Sequence, residues 1–206
     1  PADADVVVCQ RILADRAAKS APQAQLVTLD NFLADPHLDA LYNALPSTAP
    51  VLDAKAEAAA KEQIEWGLHQ ADIIKISDEE VDFLWGLSPQ ESAQKLLTEY
   101  GASLVYVTLG PKGCYFANRN CTGEIASPAE IHVVDTTGAG DIFGGSAMSR
   151  FLKLNKAPAD LTKKELTAIT TFACCAASLS TQKHGGITSV VPEAEVRERI
   201  ARMVQA

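Results

Sequence analysis

The sequence predicts an α/β fold of three layers, a mostly parallel sheet with helices on both faces. Two observations predict it. From about residue 53 onward, short continuous apolar runs alternate with segments of helical periodicity. Runs of this kind are what strands buried on both faces look like. All 12 glycines lie at residue 67 or later, in the part of the chain where strand–helix turns need them.

In chain order, Val6 to Cys9 and Leu26 to Leu29 are short strand candidates, with a helix over residues 11–19 between them, a β–α–β pattern. Asn31 to Leu45 has helical spacing, and Pro46, Ser47, Thr48 and Pro50 punctuate a loop. Asp53 caps an Ala-rich helix reaching about Gln70. Asp72 to Ile76 is a compact strand, Asp78 to Trp85 and Pro89 to Tyr100 are helices, and Leu104 to Leu109 is a continuous apolar strand. Gly113 to Ala117 and Ile131 to Val134 are further strands, and helices follow near 139–153, 162–182 and 192–204. Residues 1–52 remain an unassigned segment beside a coherent part at 53–206.

The 206 residues carry a net charge of −8, which excludes a nucleic-acid partner held by a broad basic surface. No apolar window reaches the roughly 18 residues of a membrane span. Five cysteines without a CxxC pair, and four histidines without zinc spacing, point to a reducing cytoplasm and to no structural zinc.

Asp135-Thr136-Thr137-Gly138-Ala139-Gly140-Asp141 is the most informative stretch. A two-glycine turn opens a helix whose free backbone N–H groups and dipole attract anions. Asp141 stands where a carboxylate caps a first turn, and also where it could take a proton from a hydroxyl attacking a phosphate. On spacing alone the two readings are evenly matched. Val107 to Gly113 ends a buried strand in a tight turn, a place where nucleotides approach the backbone of parallel sheets. Ser77 and Glu80 open the next helix as a cap with an acidic first turn.

Together these segments resemble the ribokinase/PfkB family of carbohydrate kinases over about residues 54–206, most like bacterial fructokinases. The resemblance carries Asp-Thr-Thr-Gly-Ala-Gly-Asp with Phe143-Gly144-Gly145, the Thr-Leu-Gly-x-x-Gly loop at 108–113, and the Asn-x-x-Glu motif, with Ser77 in place of Asn. It implies a ribokinase-like fold whose nucleotide-binding part is 53–206, with the sugar half and its lid not recognisable. It also implies ATP-dependent phosphorylation of a sugar hydroxyl, with Asp141 as base and the backbone of Gly138, Ala139 and Gly140 as anion hole. Ser77, Thr108, Gly110, Gly113 and Cys174 then border the nucleotide, and Glu80 helps hold Mg²⁺. A potassium-like ion is implied among Asp135, Thr137, Ser180, Gly185 and Ser189. The partners are a small sugar and ATP, and self-association stays open. Two alternatives remain at this point: a nucleoside kinase of the same family, and a truncated relative that binds nucleotide without catalysis.

Overall fold

The computed structural model describes residues 54–205, together with 6–10, 17–19, 22–23 and 25–29. The proposed helix at 31–45, the loop that follows it and the Asp53 cap lie outside the described residues. The chain divides into two units, Pro1–Asp53 and Ala54–Ala206.

In the first unit, β1 (Val6–Gln10) and β2 (Gln25–Leu29) pair in parallel, Val6 opposite Gln25 and Gln10 opposite Leu29. Residues 17–19 between them are helical, as a parallel pair requires a crossover connection.

The second unit opens with α1 (Ala54–Leu68) and then β3 (Ile73–Ser77), α2 (Asp78–Trp85) and α3 (Pro89–Thr98). Next come β4 (Leu104–Thr108), β5 (Cys114–Asn118) and β6 (Thr122–Ile125). The chain finishes with α4 (Ala139–Leu152), α5 (Lys163–Ser180) and α6 (Glu193–Gln205). The sheet order is β3-β4-β5-β6. Only β3 and β4 run parallel, joined through α2 and α3; β4–β5 and β5–β6 are antiparallel. The antiparallel continuation follows from the tight turn at 109–113, where Leu109 N–H donates to the Gly113 carbonyl at 2.8 Å. A turn that short cannot make the crossover that parallel strands need.

Strand alternation divides the core between the two faces. Ile74, Ile76, Val105 and Val107 pack with Val81, Leu84, Ala93 and Leu96 of α2 and α3. On the other face Leu104, Tyr106, Cys114 and Phe116 pack with Phe143 and Ala147 of α4 and Leu166, Ile169 and Ala173 of α5. Sheet and two helical layers thus give the expected α/β/α arrangement. Phe116 is fully buried, and truncating it to Ala costs about 3–5 kcal/mol.

Two segments depart from the expected elements. Ile131 to Val134 is not a strand. The N–H groups of Val134 and Asp135 both donate to the Thr181 carbonyl, at 2.8 and 3.0 Å, so this backbone is tied to the end of α5 rather than to a ladder. β6 was not expected, because Thr-Gly-Glu-Ile has weak strand character. Its Gly123 lies opposite Phe116, and a Cβ there would meet the Phe116 ring at 2.5 Å. The glycine is what lets the ring cross the strand. Among the described residues no helix is long and apolar enough to cross a membrane.

Candidate active site

The ends of the parallel pair set the stage. Ser77 and Thr108 are register partners at the carboxyl ends of β3 and β4, where ligands of open α/β sheets bind. The Thr108 hydroxyl donates to the Ile76 carbonyl at 3.4 Å. Beyond Thr108, Gly110 turns at φ +55° with open space around it, which suits close approach by a ligand. Gly113 has another task. At φ +118° its missing Cβ would fall 1.9 Å from the Ile125 carbonyl oxygen, so this glycine lets the β4–β5 turn close against the end of β6.

α2 starts with a complete capping box. Glu80 N–H donates to Ser77 Oγ at 3.2 Å, while Glu80 Oε2 accepts from Ser77 N–H at 2.7 Å and from its hydroxyl at 3.0 Å. One Glu80 oxygen, Oε2, is therefore committed to the fold. Among the described residues no three His, Cys, Asp or Glu side chains gather to hold a metal.

α4 starts differently. Its cap is Gly138, left-handed at φ +76° and with no side-chain cap. Ala139 N–H bonds the Thr136 carbonyl at 3.1 Å and Ile142 N–H bonds Gly138 at 2.9 Å. The N–H groups of Gly140 and Asp141 between them have no protein acceptor among the described residues. These are the orphan donors that a helix start offers an anion. Asp141 is exposed in the same turn and lines a cavity of about 380 Å³ with Gly138, Ser146, Gly186 and Ile187.

A second loop holds this turn in place. Asp135 Oδ1 accepts from Thr137 N–H at 2.9 Å, and Oδ2 accepts from Gly185 N–H at 2.8 Å, with His184 Nδ1 at 3.9 Å. The Gly185 N–H, then the Thr137 contacts, pull the Asp135 carboxyl down to about 2. Asp135, Thr137 and Gly185 therefore meet. Ser180 and Ser189 are buried nearby in the chain, but their hydroxyls donate to Ala177 at 2.7 Å and Gly186 at 3.1 Å.

Cys174 is 3% exposed and packs in the core between sheet and α5, and burial, with Cys175 adding, pushes its thiol up to about 12. One residue was missed. Lys75, two residues before Ser77 and on the same side of β3, reaches the first turn of α4: a Cβ on Gly140 would lie 3.1 Å from Lys75 Nζ. The available signal was a cation two residues before Ser77, on the Ile73, Lys75, Ser77 side of the strand.

The profile of the pfkB family of carbohydrate kinases matches residues 14–194. The match starts well before residue 54, where the motif resemblance begins. Fructokinase-1 of Zea mays is 37% identical over 134 residues, covering 65% of this chain and 41% of that protein. Fructokinase-2 of Solanum habrochaites is 34% identical over 138 residues, covering 66% and 41%. The chain spans about two fifths of the length of these curated relatives. Among solved structures, the fructokinase of Vibrio cholerae O395, in its fructose, ADP and calcium ion bound form, superposes with a TM-score of 0.58 at 26% identity, covering 68% of this chain and 44% of that one. The ATP-bound fructokinase of Xylella fastidiosa gives a TM-score of 0.63 over 98% of this chain and 63% of that one; at 22% identity it speaks for the fold alone. A profile match over most of the sequence, on a fold that these kinases share, means that the chain belongs to the pfkB family of carbohydrate kinases.

Proposed function

We propose that this chain forms the nucleotide end of an ATP-dependent sugar kinase that phosphorylates a hydroxyl of a ketohexose such as fructose. The observation that carries the reading is the uncapped start of α4, with two free N–H donors and the Asp141 carboxylate in one turn. ATP with Mg²⁺ supplies an activated phosphoryl group and shields its charge.

The chain's own groups then divide the work. Gly140 and Asp141 N–H, supported by the turn at Gly138 and Ala139, stabilise negative charge that grows on the transferred group. Asp141 accepts the proton of the sugar hydroxyl as it attacks. Lys75 brings a positive charge to the same turn from beneath. Ser77, Thr108 and Gly110 border the nucleotide at the strand ends, with Gly113 shaping that loop. Glu80 keeps Oε1 outside its capping box, which suits contact with the metal through water. Asp135, Thr137, Ser180, Gly185 and Ser189 would hold a potassium-like ion, which would add positive charge beside this turn.

Calorimetry of the 206-residue chain with ATP–Mg²⁺, followed by a coupled kinase assay with fructose, ribose and adenosine, tests this reading, with and without KCl. ATP binding with turnover of fructose above the other two is expected. Preference for adenosine would make the acceptor a nucleoside. Binding without turnover of any acceptor would leave the chain a nucleotide-binding relative and remove the catalytic reading.

A further inference from the structure

A second cavity, of about 600 Å³, lies at the far end of α4, between its last turn, α5 and α6. Arg150 is nine residues beyond Asp141, about 14 Å along the helix at 1.5 Å per residue. The cavity is therefore separate from the one beside Asp141. Its floor is apolar, built on Ile169, Phe172 and Ile200, and its wall carries Arg150, Lys153 and Arg197.

Three cations gather here around one carboxylate. Glu193 Oε2 takes Arg150 at 2.7 Å and Lys153 at 3.8 Å, and its Oε1 takes Arg197 at 2.7 Å. Glu193 itself lines a neighbouring cavity and not this one, so it stands behind the cations. The other carboxylate on the wall, Glu165, is already used: it accepts from Lys156 at 2.6 Å and caps α5 through Thr162. Three cations against Glu193, with Glu165 cancelled by Lys156, leave an excess of two positive charges in a chain whose net charge is −8.

The cationic wall is also held in place. The Arg150 guanidinium lies 3.8 Å from the centre of the Phe172 ring, and its side chain is only 14% exposed. Its Nε–H is buried without an acceptor among the described residues. A fixed cation above an apolar floor is complementary to a ligand with an apolar body and an anionic group. The volume lies in the range of small-molecule pockets, roughly 300–1,000 Å³, and far exceeds what a bare inorganic anion fills.

We propose that this cavity binds an amphipathic organic anion, a small molecule whose apolar body rests on Phe172 and Ile169 while its carboxylate, sulfonate or phosphate meets Arg150, Lys153 and Arg197. Isothermal titration of the 206-residue chain with naphthalene-2-sulfonate tests it, with neutral naphthalene-2-methanol as control. The sulfonate should bind at one saturable site, about tenfold or more tighter than the alcohol, and weaken as NaCl is raised. Lys153→Gln and Arg197→Gln should each weaken it by about fivefold or more. Saturating ATP–Mg²⁺ should leave the affinity unchanged. Lys153 and Arg197 are 60% and 63% exposed, so both variants keep the fold, and Lys153→Gln by itself decides the matter. Equal binding of alcohol and sulfonate, no saturable site up to millimolar sulfonate, displacement by ATP–Mg²⁺, or unchanged affinity in the Lys153 variant would each overturn the proposal.

Discussion

Helix α2 begins directly from an extended strand end and α4 from a left-handed turn, and their first turns are finished in opposite ways. α2 closes on itself: Ser77 and Glu80 exchange bonds, as Ser88 with Glu91 and Thr162 with Glu165 do at the starts of α3 and α5. α4 has a glycine where those helices have a hydroxyl, and its donors stay open. With glycine at the cap, the missing side-chain bond forgoes only about a few tenths of a kcal/mol. The loop–loop contact from Asp135 to Gly185 fixes the turn in another way, from outside the helix. A helix start that serves the fold satisfies its own donors, whereas one that serves a ligand is supported from elsewhere.

The comparison breaks most visibly through chemistry. Asp141→Asn should reduce sugar phosphorylation by about 10²-fold or more while ATP affinity stays within about twofold, because it removes a proton acceptor and no backbone donor. Steady-state kinetics beside calorimetry reads both, and near-normal turnover would remove Asp141 from the role. Gly138→Ala comes next. The left-handed backbone costs about 1–2 kcal/mol for any other residue, and the new Cβ would lie 2.8 Å from Gly186 Cα. A loss of about 2 kcal/mol or more in urea unfolding, together with weakened ATP binding, is expected.

Thr162→Ala sharpens the contrast from the other side. It opens a cap remote from the site, so stability should fall by about 1 kcal/mol with ATP affinity intact. A change in affinity would mean that caps and site are not separable.

The smallest effect is one of pH. Asp135 has its folded carboxyl lowered from 3.8 to about 2, so the unfolded chain binds more protons between those values. Its contribution is fully present above about pH 4 and is lost as pH falls toward 2. Urea midpoints of Asp135→Asn and the parent chain should differ above that window and converge below it. A constant difference at all pH values would detach Asp135 from the effect.

Much of this was legible in sequence. The capping boxes at 77–80 and 162–165 mark helix starts directly, because Ser or Thr followed three residues later by Glu satisfies donors locally. What escaped depends on neighbours far along the chain. Ile131 to Val134 has a strand's composition, but its N–H groups are claimed by Thr181. β6 has a strand's geometry without the composition, since Gly123 is there to accommodate Phe116. Lys75 is exposed, as a strand lysine usually is, and only the placement of α4 shows that its Nζ lies beside Gly140. The burial of Cys174 likewise depends on how α5 packs against the sheet.

The contact between the two glycines at 138 and 186 is unequal. A methyl group at 138 collides with backbone, while one at 186 meets Gly138 Cα at an ordinary 3.5 Å. In evolutionary terms the pair behaves as a ratchet: residue 186 is free to become alanine, and once it has, any side chain at 138 is excluded twice over. Sequence drift around this turn should therefore enter through the later loop, leaving the turn that carries Asp141 fixed by a partner 48 residues away.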